Sequence, residues 1–329
     1  MTSVTLEDAA KTLERYGLVD VELKLLSNVD CTVFRICAVG IDDHVDRRSA
    51  VLKVYPHHKQ QLAAIRVEVE WLQALGRDTG LQVPKPLPAR DGEVVQQVDC
   101  GPLTGPYCVL FTWVEGRSRD ADLTPDAMQQ IGAFVGQLHG HSQRWNKGRT
   151  LPLERRTYSQ MAPTWILDMA EPPPTLPLTH WHVLQRAARK LNQQISDLGE
   201  RADMFGLVHS DLYLSNFLFH AGRVGVIDFS DCARGHYADD IASVLVFLKH
   251  PIVGNFNHSA SYDHLRDAFL AGYAAEQPLP LHLDHSLAVY FPARIFLLLA
   301  YVHDASDAVA WVPDCIVQSV DYLERYVSE

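Results

Sequence analysis

The chain is short of positive charge, of cysteine and of long apolar runs, and the first shortage already excludes some partners. Its 329 residues carry 29 Lys and Arg against 40 Asp and Glu, a net charge of −11. Because nucleic acids and anionic membranes are bound by basic surfaces, this balance argues against both as partners. A hydrophobic share of 47%, with only 19 Gly and 18 Pro, excludes disordered and collagen-like chains.

Signals for export and for cross-linking are also missing. Residues 1–8 show no basic region followed by an apolar core, so no secretory signal is expected. The most apolar stretch, residues 286–302, contains Pro292 and Arg294, and we expect these two residues to break it short of a membrane span. The six cysteines form no CxxC pair and no metal-ligand spacing, which favours reduced, buried thiols and a cytoplasmic protein.

Hydrophobic patterning predicts a sheet-rich first part of the chain. Thr5 caps an opening helix, and a second helix is expected over residues 59–75, closed by Gly76. Runs of β-branched and apolar residues predict strands at residues 23–39, 49–55, 93–98 and 107–114. Residues 27–30 form a turn within the first run, and Gly-Pro pairs predict turns between the last two strands.

The remainder of the chain is predicted to be mainly helical. Thr124, followed by Pro125, marks a strong helix start, and a further helix is expected over residues 181–198. A small sheet-rich unit followed by a larger helical one is the simplest division. We therefore expect an N-terminal lobe of residues 1–114 and a C-terminal lobe of residues 115–329.

The segment with the most chemical information combines a His-x-Asp motif with a later aspartate. His209 and Asp211 are followed by four residues and Asn216, and an apolar strand after a short turn ends in Asp228. This arrangement is typical of phosphotransferases, in which a catalytic loop is paired with a second acidic residue that holds metal. His209 is predicted to be structural, fixing the loop by packing and hydrogen bonding.

Each residue type suits the chemistry of phosphoryl transfer. A carboxylate beside the acceptor hydroxyl orients it and takes its proton, which is the role predicted for Asp211. Mg²⁺ prefers oxygen ligands, so the amide of Asn216 and the carboxylate of Asp228 are its predicted ligands.

A cation for the nucleotide phosphates is predicted at Lys53, inside an apolar strand. An unpaired ammonium there would be costly, so an acid on the following helix should pair with it. On a helical wheel Glu68 lies roughly 50° from the centre of the apolar stripe and Glu70 roughly 150° away. Glu68 is therefore the predicted partner.

Further segments follow one another in an order that is typical of one family. They are residues 51–53, Glu68 with residues 71–72, and residues 109–116, 136–139, 208–216, 227–229 and 237–242. On these segments the chain resembles the aminoglycoside phosphotransferase and choline kinase-like family, a branch of the protein-kinase-like fold. The resemblance covers about residues 25–245.

The resemblance implies a bilobal α+β fold, with a small antiparallel-sheet N-lobe and a larger, mainly helical C-lobe. It implies ATP and Mg²⁺ as cofactors, with ATP between the lobes. The adenine would lie against the backbone of Phe111, Thr112, Trp113 and Val114. It also implies that Asp240 braces the catalytic loop from below.

Several departures from the family pattern bear on function. No GxGxxG lies between residues 25 and 35, and Ser210 stands where the family usually has Gly and eukaryotic protein kinases have Arg. Tyr213 replaces a frequent His. Only 11 residues separate Asp228 from Asp240, too few for a long protein-kinase activation segment.

These patterns predict an ATP- and Mg²⁺-dependent phosphotransferase acting on a hydroxyl group of a small molecule, such as an aminoglycoside, an amino alcohol or a related metabolite. A bacterial stress-response-type protein Ser/Thr kinase is the alternative. A catalytically silent nucleotide-binding pseudokinase and a metal-binding protein without nucleotide are more distant alternatives. Arg294, in an apolar neighbourhood, is expected either to bind an anionic substrate group or to pair with a buried acid. The sequence indicates neither the acceptor nor the oligomeric state.

Overall fold

A computed structural model describes residues 4–28, 31–38, 49–56, 62–100, 103–119, 122–151, 157–172, 176–249, 260–304 and 312–329. Within these ranges it contains nine α-helices and ten β-strands. The chain divides into two compact units. The first comprises Met1–Gly116, Leu151–Leu153 and Gly225–Ser230, and the second comprises Arg117–Thr150, Glu154–Val224 and Asp231–Glu329.

The first unit is built on one antiparallel sheet. Its strands are β1 (Val21–Asn28), β2 (Thr32–Ala38), β3 (Ser49–Val54), β4 (Pro86–Leu87), β5 (Val95–Cys100) and β6 (Leu103–Thr112). The order along the sheet is β1-β2-β3-β6-β4, and β5 also pairs with β6. In the register of the central strands, Lys53 of β3 lies opposite Val33 of β2 and Val109 of β6.

One face of this sheet is covered by the first helix, α1 (Leu6–Glu14). Thr5 and Asp8 form a capping box at its start, as the sequence predicts. Leu13 of α1 packs in one core with Leu52 and Val54 of β3 and with other apolar residues of the sheet. Because side chains alternate along a strand, Lys53 projects from the opposite face, away from α1.

The second helix of this unit, α2 (Leu62–Asp78), carries the acid that was predicted to pair with Lys53. Its buried stripe includes Ile65, Val69 and Leu72, and Glu68 is buried with them. The helix continues through Gly76 to Asp78, so the predicted end at Gly76 is wrong. A glycine inside a helix costs only about 1 kcal/mol, which the packing of the stripe outweighs. The predicted start near residue 59 lies outside the described residues.

The strand predictions need two corrections. Ser27 and Asn28 belong to β1 rather than to a turn, while residues 29–30 lie outside the described residues. Gly105 and the proline after it lie inside β6 rather than in a turn. A Cβ on Gly105 would lie 2.1 Å from the carbonyl oxygen of Val98, so glycine permits the close approach of β5 and β6.

The second unit is mainly helical. Its helices are α3 (Pro125–Arg144), α4 (Tyr158–Asp168), α5 (Leu178–Asp197), α6 (Tyr237–Lys249), α7 (Tyr262–Glu276), α8 (Leu283–Asp304) and α9 (Val312–Ser328). Its short strands β7 (Phe205–Val208) and β10 (Ala233–His236) pair antiparallel. β8 (Phe217–His220) and β9 (Arg223–Val226) are joined by a turn in which Ala221 and Gly222 both have positive φ, as in a tight hairpin. The boundary between the units crosses β9 after Val224.

α8 is a core helix and corrects the expectation that Pro292 and Arg294 would break it. The helix runs through both residues to Asp304, because the burial of its apolar side chains outweighs the loss of one backbone hydrogen bond at the proline. Among the described residues, Leu283–Tyr301 is the one segment long and apolar enough to cross a membrane, with a mean hydropathy of 1.3. Of that window 67% is buried inside the protein, as in the core helix of a soluble protein.

Candidate active site

The predicted catalytic loop begins where β7 ends in the second unit, and a buried aspartate holds its backbone. Asp240, near the start of α6, accepts hydrogen bonds from the backbone N–H groups of His209 at 2.9 Å and Ser210 at 2.8 Å. Ser210 adopts a φ of +70°, a conformation in which glycine is favoured. The bracing role that the resemblance implied for Asp240 is confirmed.

Asp240 is itself anchored by a histidine that the sequence did not single out. His139 of α3 places Nε2 3.0 Å from Asp240 Oδ2, and its Nδ1 lies 3.0 Å from the hydroxyl of Tyr273. Burial acts to raise the pKa of Asp240, but the hydrogen bond and charge of His139 outweigh it and hold that pKa below its ordinary value. An ionised Asp240 accepts a hydrogen bond from the Nε2–H group of His139. The only signal in the sequence was the family segment 136–139.

His209 acts on the same loop through its ring. The imidazole is fully buried, and its Nδ1 accepts a hydrogen bond from the backbone N–H of Asp211 at 3.2 Å. This contact confirms the prediction that His209 is a structural residue.

Asp211 and Asn216 are brought together by a short 3₁₀ turn, Leu214–Asn216. The Asn216 amide Nδ2 donates to Asp211 twice, at 2.8 Å to its carbonyl oxygen and at 3.0 Å to carboxylate Oδ2. Because Nδ2 is committed to Asp211, the amide oxygen of Asn216 is directed to the other side. The predicted base and one predicted metal ligand therefore form a single hydrogen-bonded pair.

Arg294 of α8 pairs with a buried acid, which settles the two expectations for this residue. Its Nε donates to Asp239 Oδ1 at 2.9 Å, and its Nη1 donates to the carbonyl oxygen of Ser210 at 2.7 Å. The side chains of both Arg294 and Asp239 are fully buried. Burial alone would lower the pKa of the guanidinium, but Asp239 and Tyr213 outweigh it and raise that pKa. Sequence reasoning missed Asp239, whose one signal was its position beside Asp240 in an apolar segment.

In the first unit, Lys53 contacts two carboxylates. Its Nζ lies 3.4 Å from Glu68 Oε1, which confirms the predicted partner, and 2.6 Å from Asp228 Oδ1, which was not predicted. The hydroxyl of Tyr55 donates a hydrogen bond to Glu68 Oε2 at 2.9 Å. Lys53 is 7% exposed and Glu68 is 2% exposed, so this pair is largely closed to water, whereas the side chain of Asp228 is 47% exposed.

Burial and charge compete in this cluster. Burial acts to lower the pKa of Lys53, but Asp228 and Glu68 outweigh it and raise that pKa, so the ammonium stays charged. Burial also raises the pKa of Glu68, and Lys53 only partly offsets the effect. Asp228 has a φ of +66° and accepts a second hydrogen bond, from the hydroxyl of Ser230 at 2.7 Å. A cation and a partly exposed carboxylate thus lie in contact.

The segment predicted to meet the adenine lies at the end of β6 and just beyond it. Phe111 is buried in the sheet, and the N–H of Thr112 donates to the carbonyl oxygen of Lys85. The N–H of Trp113 donates to the carbonyl oxygen of Ser49, and Val114 follows it. The guanidinium of Arg35 lies 4.1 Å from the centre of the Trp113 ring, a cation–π contact that sequence reasoning missed.

An antiparallel-sheet unit with a buried Lys–Glu pair and a helical unit with a braced His-x-Asp loop together define a kinase-like phosphotransferase. The family model described as "Phosphotransferase enzyme family" (APH) matches residues 40–282. The chain belongs to this family.

Individual relatives agree with this family. Amicoumacin kinase of Bacillus subtilis (strain 168) is 23% identical over 301 residues, which is 91% of this chain and 84% of that protein. A solved "Amicoumacin kinase hAmiN in complex with AMP-PNP, Ca2+ and Ami" matches with a TM-score of 0.80 and 20% identity, over 98% of this chain and 94% of that one. A "microcompartment-associated aminopropanol kinase" matches with a TM-score of 0.78 and 26% identity, over 98% of both chains.

The comparisons confirm three predictions made from the sequence. The family and the kinase-like α+β fold are those that the motifs indicated. The protein is a phosphotransferase that acts on a hydroxyl group. The named relatives are kinases of small molecules, which supports that reading over the alternative of a protein kinase.

Proposed function

We propose that this protein transfers the γ-phosphoryl group of ATP, in the presence of Mg²⁺, to the hydroxyl of a small molecule that also carries an amine. The observation that carries the proposal is the Asp211–Asn216 pair, held at the end of a loop whose backbone is fixed by Asp240. The net charge of −11 and the buried α8 favour a cytoplasmic enzyme without a nucleic-acid or membrane partner.

Asp211 is the proposed base. Its carboxylate orients the acceptor hydroxyl and takes the proton as the acceptor oxygen forms its bond to the γ-phosphorus. The bond between that phosphorus and the oxygen bridging to the β-phosphate breaks, and ADP leaves with the electron pair. The hydrogen bond from Asn216 holds Oδ2, which fixes the direction in which the carboxylate faces the acceptor.

Lys53 and the segment from Phe111 to Val114 are the proposed nucleotide contacts. The ammonium of Lys53, kept charged and held by Glu68, binds the phosphates. Phe111, Thr112, Trp113 and Val114 line the position of the adenine. The N–H groups of Thr112 and Trp113 already donate to the carbonyl oxygens of Lys85 and Ser49, so the N–H of Val114 is the proposed contact to the adenine.

Asn216 and Asp228 are the proposed Mg²⁺ ligands, and their chemistry fits that ion. An amide oxygen and a carboxylate are hard oxygen donors, and Mg²⁺ is commonly held by one or two carboxylates together with substrate phosphates. No cluster of three or more His, Cys, Asp or Glu suited to a metal occurs among the described residues, which fits an ion held largely by the nucleotide. When bound, Mg²⁺ neutralises charge on the phosphates.

The acceptor class rests on the relatives. Aminopropanol carries one amine and one hydroxyl, and the aminopropanol kinase matches 98% of both chains at 26% identity. Amicoumacin kinase matches 91% of this chain. An amino alcohol, or an aminoglycoside with the same two groups, is therefore the proposed acceptor.

The test is to follow ADP release from Mg²⁺-ATP over a panel of acceptors. The panel holds amino alcohols, aminoglycosides, the matching alcohols without the amine, and a protein mixture. Asp211→Asn should lower kcat by about 10³-fold or more while nucleotide still raises the Tm. Asp203→Asn, at an exposed acid of the same unit, is the control and should leave kcat unchanged.

Three outcomes would contradict the proposal. Turnover that survives Asp211→Asn would remove the assigned role of Asp211. Transfer to proteins but to no small molecule would favour the protein kinase. Stabilisation by ATP without transfer to any acceptor would favour the pseudokinase.

A further inference from the structure

Two consecutive acids at the start of α6 hold the residue before Asp211 from opposite sides. Asp240 accepts directly from the backbone N–H of Ser210. Asp239 acts through Arg294, whose Nη1 donates to the carbonyl oxygen of Ser210 at 2.7 Å. The donor and the acceptor of this one residue are therefore both bonded to buried, charged groups.

The peptide unit between Ser210 and Asp211 is fixed at both of its ends. Its carbonyl oxygen accepts from Arg294, and its N–H donates to the ring of His209. Because this unit directly precedes the Cα of Asp211, its orientation sets the direction in which the Asp211 side chain leaves the backbone.

Ser210 needs such support. Its φ of +70° is unfavourable for any residue with a Cβ, and glycine would hold it without cost. Its hydroxyl is buried and makes no hydrogen bond in the part of the chain that the structure describes. The side chain of Ser210 therefore does not stabilise this conformation. The contacts of its backbone with Asp240 and Arg294 stabilise it instead.

Arg294 is anchored so that it presents its guanidinium to the loop. Besides the bond from Nε to the Asp239 carboxylate, its Nη2 donates to the Asp239 carbonyl oxygen at 3.3 Å. Asp239 in turn accepts from the hydroxyl of Ser159 of α4 at 2.5 Å. The guanidinium also hydrogen-bonds to the hydroxyl of Tyr213. A lysine carries a single nitrogen and cannot reproduce this set of contacts.

We propose that Arg294 is a positioning residue for Asp211, acting through the Ser210 carbonyl. Its side chain is 0% exposed, so it touches neither nucleotide nor acceptor and acts only through the loop. The inference rests on the proposed role of Asp211 as the base.

The first test is kinetic and uses Arg294→Lys, which keeps the charge that Asp239 requires. We expect kcat to fall about 10- to 100-fold with little change in the KM for ATP, since only the geometry of Asp211 is disturbed. Arg189→Lys, at an exposed arginine of α5, is the matched control and should leave both constants unchanged. A kcat per folded molecule equal to that of the wild type would overturn the proposal.

The second test asks whether the effect passes through Ser210. We call the contacts of Asp240 and Arg294 with Ser210 the clamp. Ser210→Gly removes the penalty of the positive φ, so the loop depends less on this clamp. We expect Arg294→Lys to cost at least about threefold less in kcat in the Ser210→Gly background than alone. A purely structural role of Arg294 predicts the same loss in both backgrounds, which would contradict the proposal.

A third readout needs no turnover, so it separates this inference from the proposed function. Hydrogen–deuterium exchange in the peptide covering residues 207–213 should be faster in Arg294→Lys and unchanged in Arg189→Lys. Unchanged exchange in Arg294→Lys would overturn the clamp even in an active enzyme. Faster exchange without any acceptor turnover would leave the clamp standing and reject the function.

If Arg294→Lys does not fold, Asp239→Asn replaces it. That variant leaves the guanidinium on the Ser210 carbonyl but weakens its anchor. We expect a lower kcat and faster exchange, as in Arg294→Lys but smaller in size. If kcat and exchange both stayed at their wild-type values, the proposal would be contradicted.

Discussion

Lys53 Nζ lies closer to Asp228 Oδ1, at 2.6 Å, than to the Glu68 carboxylate that the sequence predicted as its partner. Lys53 and Asp228 are 175 positions apart in the chain. One buried ammonium thus contacts two carboxylates of the first unit. Glu68 is the more buried acid, and its own pKa is already raised by burial.

Replacing Lys53 by methionine should destabilise the protein through Glu68. Without the ammonium, Glu68 is left buried with the hydrogen bond from Tyr55 and the repulsion of Asp228, and breaking a buried pair in this way costs about 3–5 kcal/mol. Adding Glu68→Gln should recover part of that loss, since the stranded charge is removed. Chemical denaturation measures both variants. Lys11→Met, at an exposed pair with Glu7, is the control and should leave the free energy of unfolding unchanged within error.

Equal and additive losses from Lys53→Met and Glu68→Gln would contradict this account. Additivity would mean that the two side chains do not depend on one another.

Ser210→Gly should stabilise the fold. The substitution relieves a positive φ and removes a buried hydroxyl without a hydrogen-bond partner in the described structure, for a net gain of about 1 kcal/mol. Ser210→Ala removes the same hydroxyl but keeps the unfavourable φ, so it should gain less than glycine. Urea denaturation of the two variants measures the difference. A glycine variant no more stable than the alanine variant would show that the backbone of Ser210 is not strained.

The packing of α3 against α7 depends on glycine at their contact. A Cβ on Gly132 would lie 1.9 Å from the carbonyl oxygen of Phe269, and one on Gly272 would lie 2.0 Å from that of Gln129. Because backbone atoms cannot move aside as a flexible side chain does, Gly132→Ala should cost about 3 kcal/mol or more. Gly80→Ala, where a Cβ meets nothing within 4 Å, should change the free energy of unfolding by less than about 0.5 kcal/mol. A small loss at Gly132 would show that the helices separate without cost.

Local rules predicted those parts of the structure that depend on neighbouring residues. The cap at Thr5 and the inward direction of Glu68 follow from spacing along a single helix. The brace at Asp240 was implied by the family motif and is present. Helix ends were less predictable, because burial of the α2 stripe carries the helix through Gly76.

The contacts that complete the candidate site join segments far apart in the sequence. Arg294 meets Asp239 and the Ser210 carbonyl, and His139 meets Asp240, across separations that no periodicity encodes. For Arg294 the sequence left two outcomes open, an anionic substrate group and a buried acid. Only the packing of α8 against α6 decides between them.

His236 gives the second unit a stability that depends on pH. Its Nδ1 accepts from the hydroxyl of Tyr290 at 2.6 Å and faces the amide of Gln160 at 3.0 Å, while its Nε2 donates to the carbonyl oxygen of Gly199 at 2.6 Å. These partners favour the neutral ring with the proton on Nε2, and a second proton on Nδ1 would face the amide N–H of Gln160, which can only donate. Burial lowers the pKa of His236 below its ordinary value of 6.5, against the Gly199 carbonyl and the charges of Asp239 and Glu200, which act to raise it.

We therefore expect the protein to lose stability as the pH falls below about 6.5. Between the folded and unfolded pKa values the unfolded chain binds more protons at this site, so the free energy of unfolding rises with pH and the full contribution is present above the unfolded pKa. The drop in that free energy from about pH 7.5 to about pH 5.5 should be smaller in His236→Asn than in the wild type, by up to about 1 kcal/mol. His264→Asn, at an exposed histidine of α7, is the control and should keep the full drop. Denaturation with urea at the two pH values measures it, and an unchanged drop in His236→Asn would show that this ring does not carry the dependence.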